Sequence, residues 1–316
     1  MTICENPLVS VCVQTYQHAS YIRQCLDNIL NQETSFEIEI LLGEDASTDG
    51  TREICIEYAE QHPDTIRLFL HERKNVIFIN GRPTGRYNFV HNLKAARGKY
   101  IAFCEGDDYW NDVTKLQKQV DFLESHPDYS FCYHNVRKAN ASGQLLDQWK
   151  LNANRLARLD ANQLFSQITV PLLATVFRRS GVAFPQQFFE VLNADRFLLS
   201  ILAQHGPAAY IPTINDAIAH IHDGGIWSSL QKHNQLNANL TTYKAMIEVL
   251  DTKFHNEITN QIKSVSHKLL TSHLKRFQFR KYITALRNFD QFLSNQEEAK
   301  NAGYKFHFRR LLKLDH

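Results

Sequence analysis

Apolar and polar positions along the chain follow two regimes. In the first part of the chain, short apolar runs alternate with amphipathic stretches. Residues 8–16 (LVSVCVQTY) are almost continuously apolar and read as a buried strand. Ile22, Cys25, Leu26, Ile29 and Leu30 then recur at helical spacing, with Ser20 as the expected cap. A second strand falls within residues 36–42 (FEIEILL), and a helix follows on Ile54, Tyr58 and Ala59. A third strand spans residues 66–70 (IRLFL), and a polar loop at residues 80–88 (NGRPTGRYN) precedes a helix ending near Gly98. The fourth strand, KYIAF, runs into CEGDDYW, and a helix around Leu116, Val120 and Leu123 closes before Pro127. Strands alternating with helices of this length predict parallel βαβ units and an open α/β sheet.

From Tyr129 the pattern changes. YSFCYHNV reads as a strand, NASG (residues 140–143) as a turn opening an antiparallel excursion, and LLATVF (residues 172–177) as another strand. An amphipathic helix is expected around FFEVLNADRFLLSILAQHG. Beyond HDGGIWSS (residues 222–229), Gly and Pro nearly vanish and Asn, Gln, Lys and Leu dominate in helical patterns. The expected domains are therefore residues 1–228, α/β, and residues 229–316, helical.

Composition narrows the class only slightly. With 316 residues, 43% hydrophobic and 22% charged, the chain is long enough for a full core. A net charge of +2 gives no reason to expect a nucleic-acid partner. None of the 6 Cys forms a C-x-x-C pair, and they read as small reduced hydrophobes. No apolar run approaches the about 20 residues that span a bilayer, and the first residues lack an export signal. A cytoplasmic protein is expected. Residues 304–314 (YKFHFRRLLKL) form a basic amphipathic pattern, with Tyr304, Phe308, Leu311 and Leu312 on one face. That pattern suits peripheral contact with the inner face of an anionic membrane, or packing on the protein's own helices.

The chemistry gathers in two acidic turns. GEDASTDGTRE (residues 43–53) begins like a calcium loop, with Asp45, Ser47, Asp49 and Gly50 at its first, third, fifth and sixth positions. Its twelfth position is Ile56, where a bidentate Glu is required, and a strand precedes it. It is therefore a strand-to-helix turn, with Ser47, Thr48 or Asp49 as cap. The second turn is Glu105-Gly106-Asp107-Asp108. In a parallel sheet both turns project from the carboxyl edge, where ligands bind. Clustered carboxylates need a cation or hydrogen-bond donors to balance them. A hard divalent cation fits Asp107 and Asp108, while Asp45 suits a nucleobase or ribose. Trp110 and Trp227 could stack on a sugar or base, or belong to the core.

VSVCVQTYQHASYIRQCLDNILNQ, GEDASTDGT, ARGKYIAFCEGDDYW and NADRFLLSILAQHG with HDGGIWS together resemble glycosyltransferase family 2 over residues 7–228. The resemblance implies the GT-A fold: a Rossmann-like, mostly parallel sheet with flanking helices, here followed by a helical C-terminal region. It also implies an inverting transferase that takes a sugar from a nucleotide-diphosphosugar, a UDP-sugar by the family's habit. The acceptor would be a glycan or lipid-linked hydroxyl in bacterial surface polysaccharide synthesis, and Mn2+ or Mg2+ the cofactor. By the same resemblance Thr15 and Tyr16 line the nucleotide and Asp45 meets uracil. Glu44 precedes Asp45 with Glu where the family has Asp. Glu105-Gly106-Asp107 stands at the D-x-D position, with Glu again for the first Asp and Asp107 as the metal ligand. Arg86 and Asn88 stand in for a family Arg-Asn pair in a shifted register. Asp195 resembles the catalytic base, and His222 takes the place of a His near the diphosphate or metal.

The implied mechanism is a single displacement. A cation at Asp107 neutralises the departing diphosphate, and Asp195 accepts the acceptor's proton. On its residues alone, Asp195 reads as a surface partner of Arg196, and the family resemblance reverses that reading. Two other classes compete: a non-catalytic sugar-nucleotide-binding protein of the same fold, and a nucleotidyltransferase, whose Gly-rich basic phosphate loop is missing after the first strand.

Overall fold

The computed structural model describes residues 6–151, 157–166, 168–222, 224–225, 227, 229–276 and 278–295. It divides into two compact units, Met1–Glu190 with Ala194–Gly225, and Val191–Asn193 with Ile226–His316.

The first unit opens β1 (Val9–Thr15), α1 (Ile22–Leu30), β2 (Ile38–Glu44), α2 (Thr51–Gln61) and β3 (Ile66–Leu70). A hairpin of β4 (Ile77–Ile79) and β5 (Arg82–Thr84) leads into α3 (Arg86–Ala95), β6 (Tyr100–Glu105), the short β7 (Asp108–Tyr109) and α4 (Lys115–Ser125). Then come β8 (Phe131–Tyr133), β9 (Val136–Asn140), β10 (Leu145–Trp149), β11 (Arg158–Leu159) and α5 (Ala161–Ser166). The unit closes with β12 (Thr175–Arg178), α6 (Ala194–Leu202), β13 (Ala208–Tyr210) and β14 (Ala217–Ile221).

An eight-stranded sheet runs in the order β11-β13-β8-β12-β6-β1-β2-β3. Strands β6, β1, β2 and β3 are parallel, as the strand–helix alternation predicts. Val9, Val11, Cys12, Val13, Ile40, Leu41 and Leu42 are all fully buried, because such strands present both faces to the core. Beyond β6 the sheet becomes mixed: β12 is antiparallel to both β6 and β8. A second sheet, β10-β9-β14-β7, carries the antiparallel β9–β10 excursion that NASG signals.

Three local expectations need correction, and one open alternative is decided. The helix α1 is capped by Tyr21, not Ser20, and without a side-chain hydrogen bond. LLATVF is a strand only from Thr175, because Leu172–Ala174 form a 3-10 turn after Pro171. The loop at residues 80–88 is a hairpin whose Asn80-Gly81 turn takes φ of 51° and 74°, followed directly by the start of α3 at Arg86. Positive φ at both central residues is the geometry that Asn-Gly favours. Trp110 belongs to the core, 1% exposed with its indole N–H on the Leu173 carbonyl.

At the amino end of the sheet, buried Glu39 accepts hydrogen bonds from Ser10 Oγ (2.6 Å), Arg67 (2.8 Å) and the Arg97 backbone (2.8 Å). Burial alone would raise its pKa, but these donors hold it below the ordinary value. The five described cysteines are free and buried, in keeping with small hydrophobes.

The second unit contains α7 (Lys232–Val249), α8 (His255–Lys275) and α9 (Phe279–Asn295). Ile258, Ile262, Val265, Leu269 and Leu270 form the buried stripe of α8, which packs against both neighbours. No helix among the described residues is long and apolar enough to cross a membrane. The basic segment 304–314 lies outside the described residues.

Candidate active site

The carboxyl ends of β1, β2 and β6 are in register, pairing Thr15 with Glu44 and Gln14 with Glu105. Both acidic turns therefore leave one edge of the sheet. Gly106 lets the turn after β6 close on β1: a Cβ there would lie 2.7 Å from the Cβ and Oγ1 of Thr15. Thr15 Oγ1 is buried and lacks a hydrogen-bond partner among the described residues.

The calcium-like donors of the first turn are committed to the protein. Glu44 is fully buried and accepts from Ala46 N (3.1 Å), Ser47 N (2.6 Å) and Arg52 Nε (2.5 Å). Asp49 accepts from Thr51 N (3.1 Å) and from Ala19 N (3.0 Å), tying the loop after β1 to the start of α2, whose cap is Gly50 and not Ser47, Thr48 or Asp49. Ser47 Oγ accepts from Gln17 N (2.9 Å) and Thr51 Oγ1 from His18 N (2.8 Å). Gln17 and Ala46, one in each loop, hold left-handed backbone at φ 59° and 58°. The work of this turn is to fix the loop that carries His18.

Asp45 keeps a different environment. Burial pushes its carboxyl up to about 6, against the hydrogen bond of Asn88 and the charge of Arg73. Asn88 is itself buried and donates to the Gly43 carbonyl at 2.7 Å. Its amide fills the space where a Gly43 side chain would stand, since a Cβ would approach its Oδ1 to 1.8 Å. Arg73 donates to the Asp45 carbonyl (3.2 Å) and lies 4.3 Å over the Tyr16 ring, which is 40% exposed. Tyr16, Asp45, Arg73 and Asn88 thus frame one slot at the ends of β1 and β2.

His18, Asp107 and His222 meet a short way off, their ligand atoms all within 4.8 Å of one another. His222 Nε2 is 2.9 Å and His18 Nε2 3.8 Å from Asp107 Oδ2. The pairing of β7 with β14 brings this about, setting Asp108 opposite Ala219 and carrying β14 past Asp107. His220 Nδ1 adds a contact of 2.5 Å to the Asp107 carbonyl, and the Tyr21 ring lies 5.6 Å from that of His222. Two donors on one cation at about 2.1 Å lie at most about 4.2 Å apart, so the three need close by only about half an ångström. Two imidazoles and a carboxylate suit Mn2+ better than Mg2+, which prefers oxygen.

Asp108 does not join this group. It is buried, and Oδ1 accepts the His220 backbone N–H at 3.0 Å, bracing the β7–β14 pair. Burial and the charge of Asp107 raise its pKa well above the ordinary value. Glu105 is raised to about 7, by burial first and then by Asp107, while Lys150 opposes. Asp107, hydrogen-bonded to His222 and facing His18, is held low despite its burial. Of the three carboxyls, Asp107 is therefore the first to ionise.

Asp195 lies in the first turn of α6, partly exposed, and forms no salt bridge with Arg196 among the described residues. Its charge acts on Glu105 and on Arg86, which links it to the same edge. Arg86 is buried at the start of α3, donates to the Phe188 carbonyl and is drawn down to about 10 by burial, which the Asp195 charge opposes. Sequence reasoning missed His18, His220 and Arg73. The signal for His18 was there, a His three residues after the first strand, but the tie to Thr51 that orients it is not local.

The sequence model described as Glycosyl transferase family 2 matches residues 10–180. An uncharacterized protein of Mycobacterium tuberculosis is 35% identical over 222 residues, 70% of this chain and 61% of that one, so the chain spans less than two thirds of this relative's length. Among solved structures, S. aureus TarS 1–349 in complex with UDP-GlcNAc superposes with a TM-score of 0.63 at 17% identity, over 90% of this chain and 80% of that one. The mannosyltransferase PcManGT of Pyrobaculum calidifontis, in complex with GDP-Man and Mn2+, gives 0.60 at 16%, over 99% and 89%. The fold is the one these transferases share, the GT-A fold.

Proposed function

We propose, on the premise that the chain belongs to glycosyl transferase family 2, that it moves a sugar from a nucleotide-diphosphosugar to a hydroxyl of a glycan or lipid-linked acceptor, with inversion. The observation that carries this reading is the convergence of His18, Asp107 and His222 beside the Asp45 slot at one sheet edge. The relatives in complex with UDP-GlcNAc and with GDP-Man and Mn2+ support the same class of donor and cofactor.

Each residue then has a task. Tyr16, Arg73 and Asn88 hold the base against Asp45, which in its ionised form accepts an imide N–H; uracil is the base we propose. Gly106 lets the turn after β6 pack on Thr15, whose Oγ1 meets the ribose or diphosphate. Asp107, His222 and His18 would hold Mn2+, which would supply positive charge against the leaving diphosphate. Glu44 and Asp108 support the two turns from behind. Asp195 takes the proton of the attacking hydroxyl. Inversion follows, since one displacement with one base needs no protein nucleophile. Contact with a membrane surface through residues 304–314, on the cytoplasmic side, would present a lipid-linked acceptor.

Consumption of UDP-sugars and GDP-sugars, followed with Mn2+ and then with chelator, tests the reading. Turnover of a donor that stops on chelation is expected. Donor binding with no turnover, for any acceptor or for water, would instead assign a sugar-nucleotide-binding protein.

A further inference from the structure

The helical unit encloses a cavity of about 450 Å³, a volume ordinary for a small-ligand site. Its charge is one-sided. Lys244 on α7 and Arg280 and Lys281 on α9 line it, with His233 on α7 and His273 on α8. No carboxylate lines it, and none of these three cations has a salt bridge among the described residues. Lys244 is partly buried with its ammonium 5.6 Å over the Phe292 ring, and burial lowers its pKa. Arg280 and Lys281 remain exposed to solvent; like charges gathered without a counter-charge repel one another, and an anion among them would relieve that repulsion.

The two histidines extend the same polarity. Arg276 Nη1 donates to His233 Nδ1 at 3.1 Å, so the neutral ring carries its proton on Nε2 as a donor. His273 directs Nδ1 at Gln278 Oε1 (3.0 Å), which leaves Nε2 able to take up a proton. The remaining lining supplies amides, from Asn234, Asn237 and Asn288, and the rings of Phe289 and Phe292. Amides pair with hydroxyls, and aromatic faces cover the C–H surface of a polyol.

We propose that this cavity binds a phosphorylated sugar or polyol, its phosphate among Lys244, Arg280 and Lys281 and its hydroxyls on the asparagines. The inference is independent of the donor site. An anion there would raise the titration midpoint of His233, which burial and then the charges of Arg276 and Lys281 now depress.

The test uses the full chain, with glycerol 3-phosphate as probe and glycerol as the neutral control. Calorimetry is expected to show binding of glycerol 3-phosphate alone. Arg280→Gln with Lys281→Gln should weaken it at least tenfold while UDP affinity is unchanged, which separates this cavity from the diphosphate site. Lys244→Met keeps length and apolar packing, so a folded variant with weakened binding is expected there too. In NMR spectra of the wild type, the probe should move the His233 and His273 ring signals and raise the His233 midpoint. Equal affinity in wild type and variants, unmoved histidine signals, or no binding at millimolar probe would overturn the proposal. Capture by phosphatidylglycerol vesicles without binding of glycerol 3-phosphate would overturn it as well, assigning the charge to a lipid surface.

Discussion

His222 Nε2 stands 2.9 Å from Asp107 Oδ2, although 115 positions separate the two in the chain. Two-residue β7 is what joins them, because its pairing with β14 carries His222 across the turn that presents Asp107. His18 completes the set from a third segment, anchored through its backbone to Thr51. Its Nδ1 is buried with no hydrogen-bond partner among the described residues, while Nε2 faces Asp107. His18→Ala is expected to lower Mn2+ affinity by about tenfold or more, a loss of about 1.4 kcal/mol, with little change in the unfolding midpoint. Titration of the variant with Mn2+ by electron paramagnetic resonance checks this, and wild-type affinity would remove His18 from the site.

The slot at Asp45 sets stability against binding. Its carboxyl titrates at about 6, above the ordinary 3.8, because it is buried. A raised carboxyl pKa means the folded state holds the proton more tightly, so stability falls as pH rises from about 4 to about 6 and stays reduced above that. Asp45→Asn removes this cost and should make the protein more stable at pH 7, with no gain at pH 3. The same variant should bind UDP at least about tenfold more weakly, having lost the charged acceptor. Urea unfolding and calorimetry on one preparation decide it; a less stable variant with unchanged UDP affinity would contradict the assignment.

The parallel half of the sheet was legible because buried strands such as VSVCV and ILL carry their own pattern, and the acidic turns followed from their place after those strands. What escaped depends on partners far away in sequence. Nothing near Asp107-Asp108 tells which carboxylate faces the ligand; the β7–β14 register decides it, turning Asp108 onto the His220 N–H. Nothing near Glu44 reveals that Arg52 and two backbone N–H groups occupy its oxygens. The Asn80-Gly81 turn was written locally, but the strand RPT after it lies between two glycines within residues 80–88 and carries no strand pattern of its own.

Lys115 offers a test of the core beneath the site. It is fully buried, 3.8 Å over the Trp110 ring, and its ammonium has no hydrogen-bond partner among the described residues. Burial lowers its pKa from 10.5 to about 7. Between those values the unfolded chain holds a proton that the folded one lacks, so stability increases as pH rises through this window. Lys115→Met should be the more stable protein at pH 7, and its advantage should shrink as pH approaches 10. Chemical denaturation across that range measures it; a variant less stable at pH 7 would show that the ammonium has a stabilising partner.

Asp195 interacts electrostatically with Glu105 and Arg86. As the base it touches the acceptor and not the nucleotide. Asp195→Asn keeps its size and should reduce transfer by about 10² to 10⁴-fold, leaving UDP affinity close to that of the wild type. Transfer rate and UDP affinity measured on the same preparation separate the roles: near-normal transfer would place the base elsewhere, and lost UDP affinity would move Asp195 into the nucleotide site.

The central claim, a nucleotide diphosphate held through a cation on Asp107, His222 and His18, meets its most direct test in calorimetric titration of UDP with Mn2+ and with chelator, for the wild type and for Asp107→Ala. The account predicts tight binding by the wild type only when Mn2+ is present, and weak, metal-independent binding by the variant. Equal affinity of the wild type in Mn2+ and in chelator would contradict it.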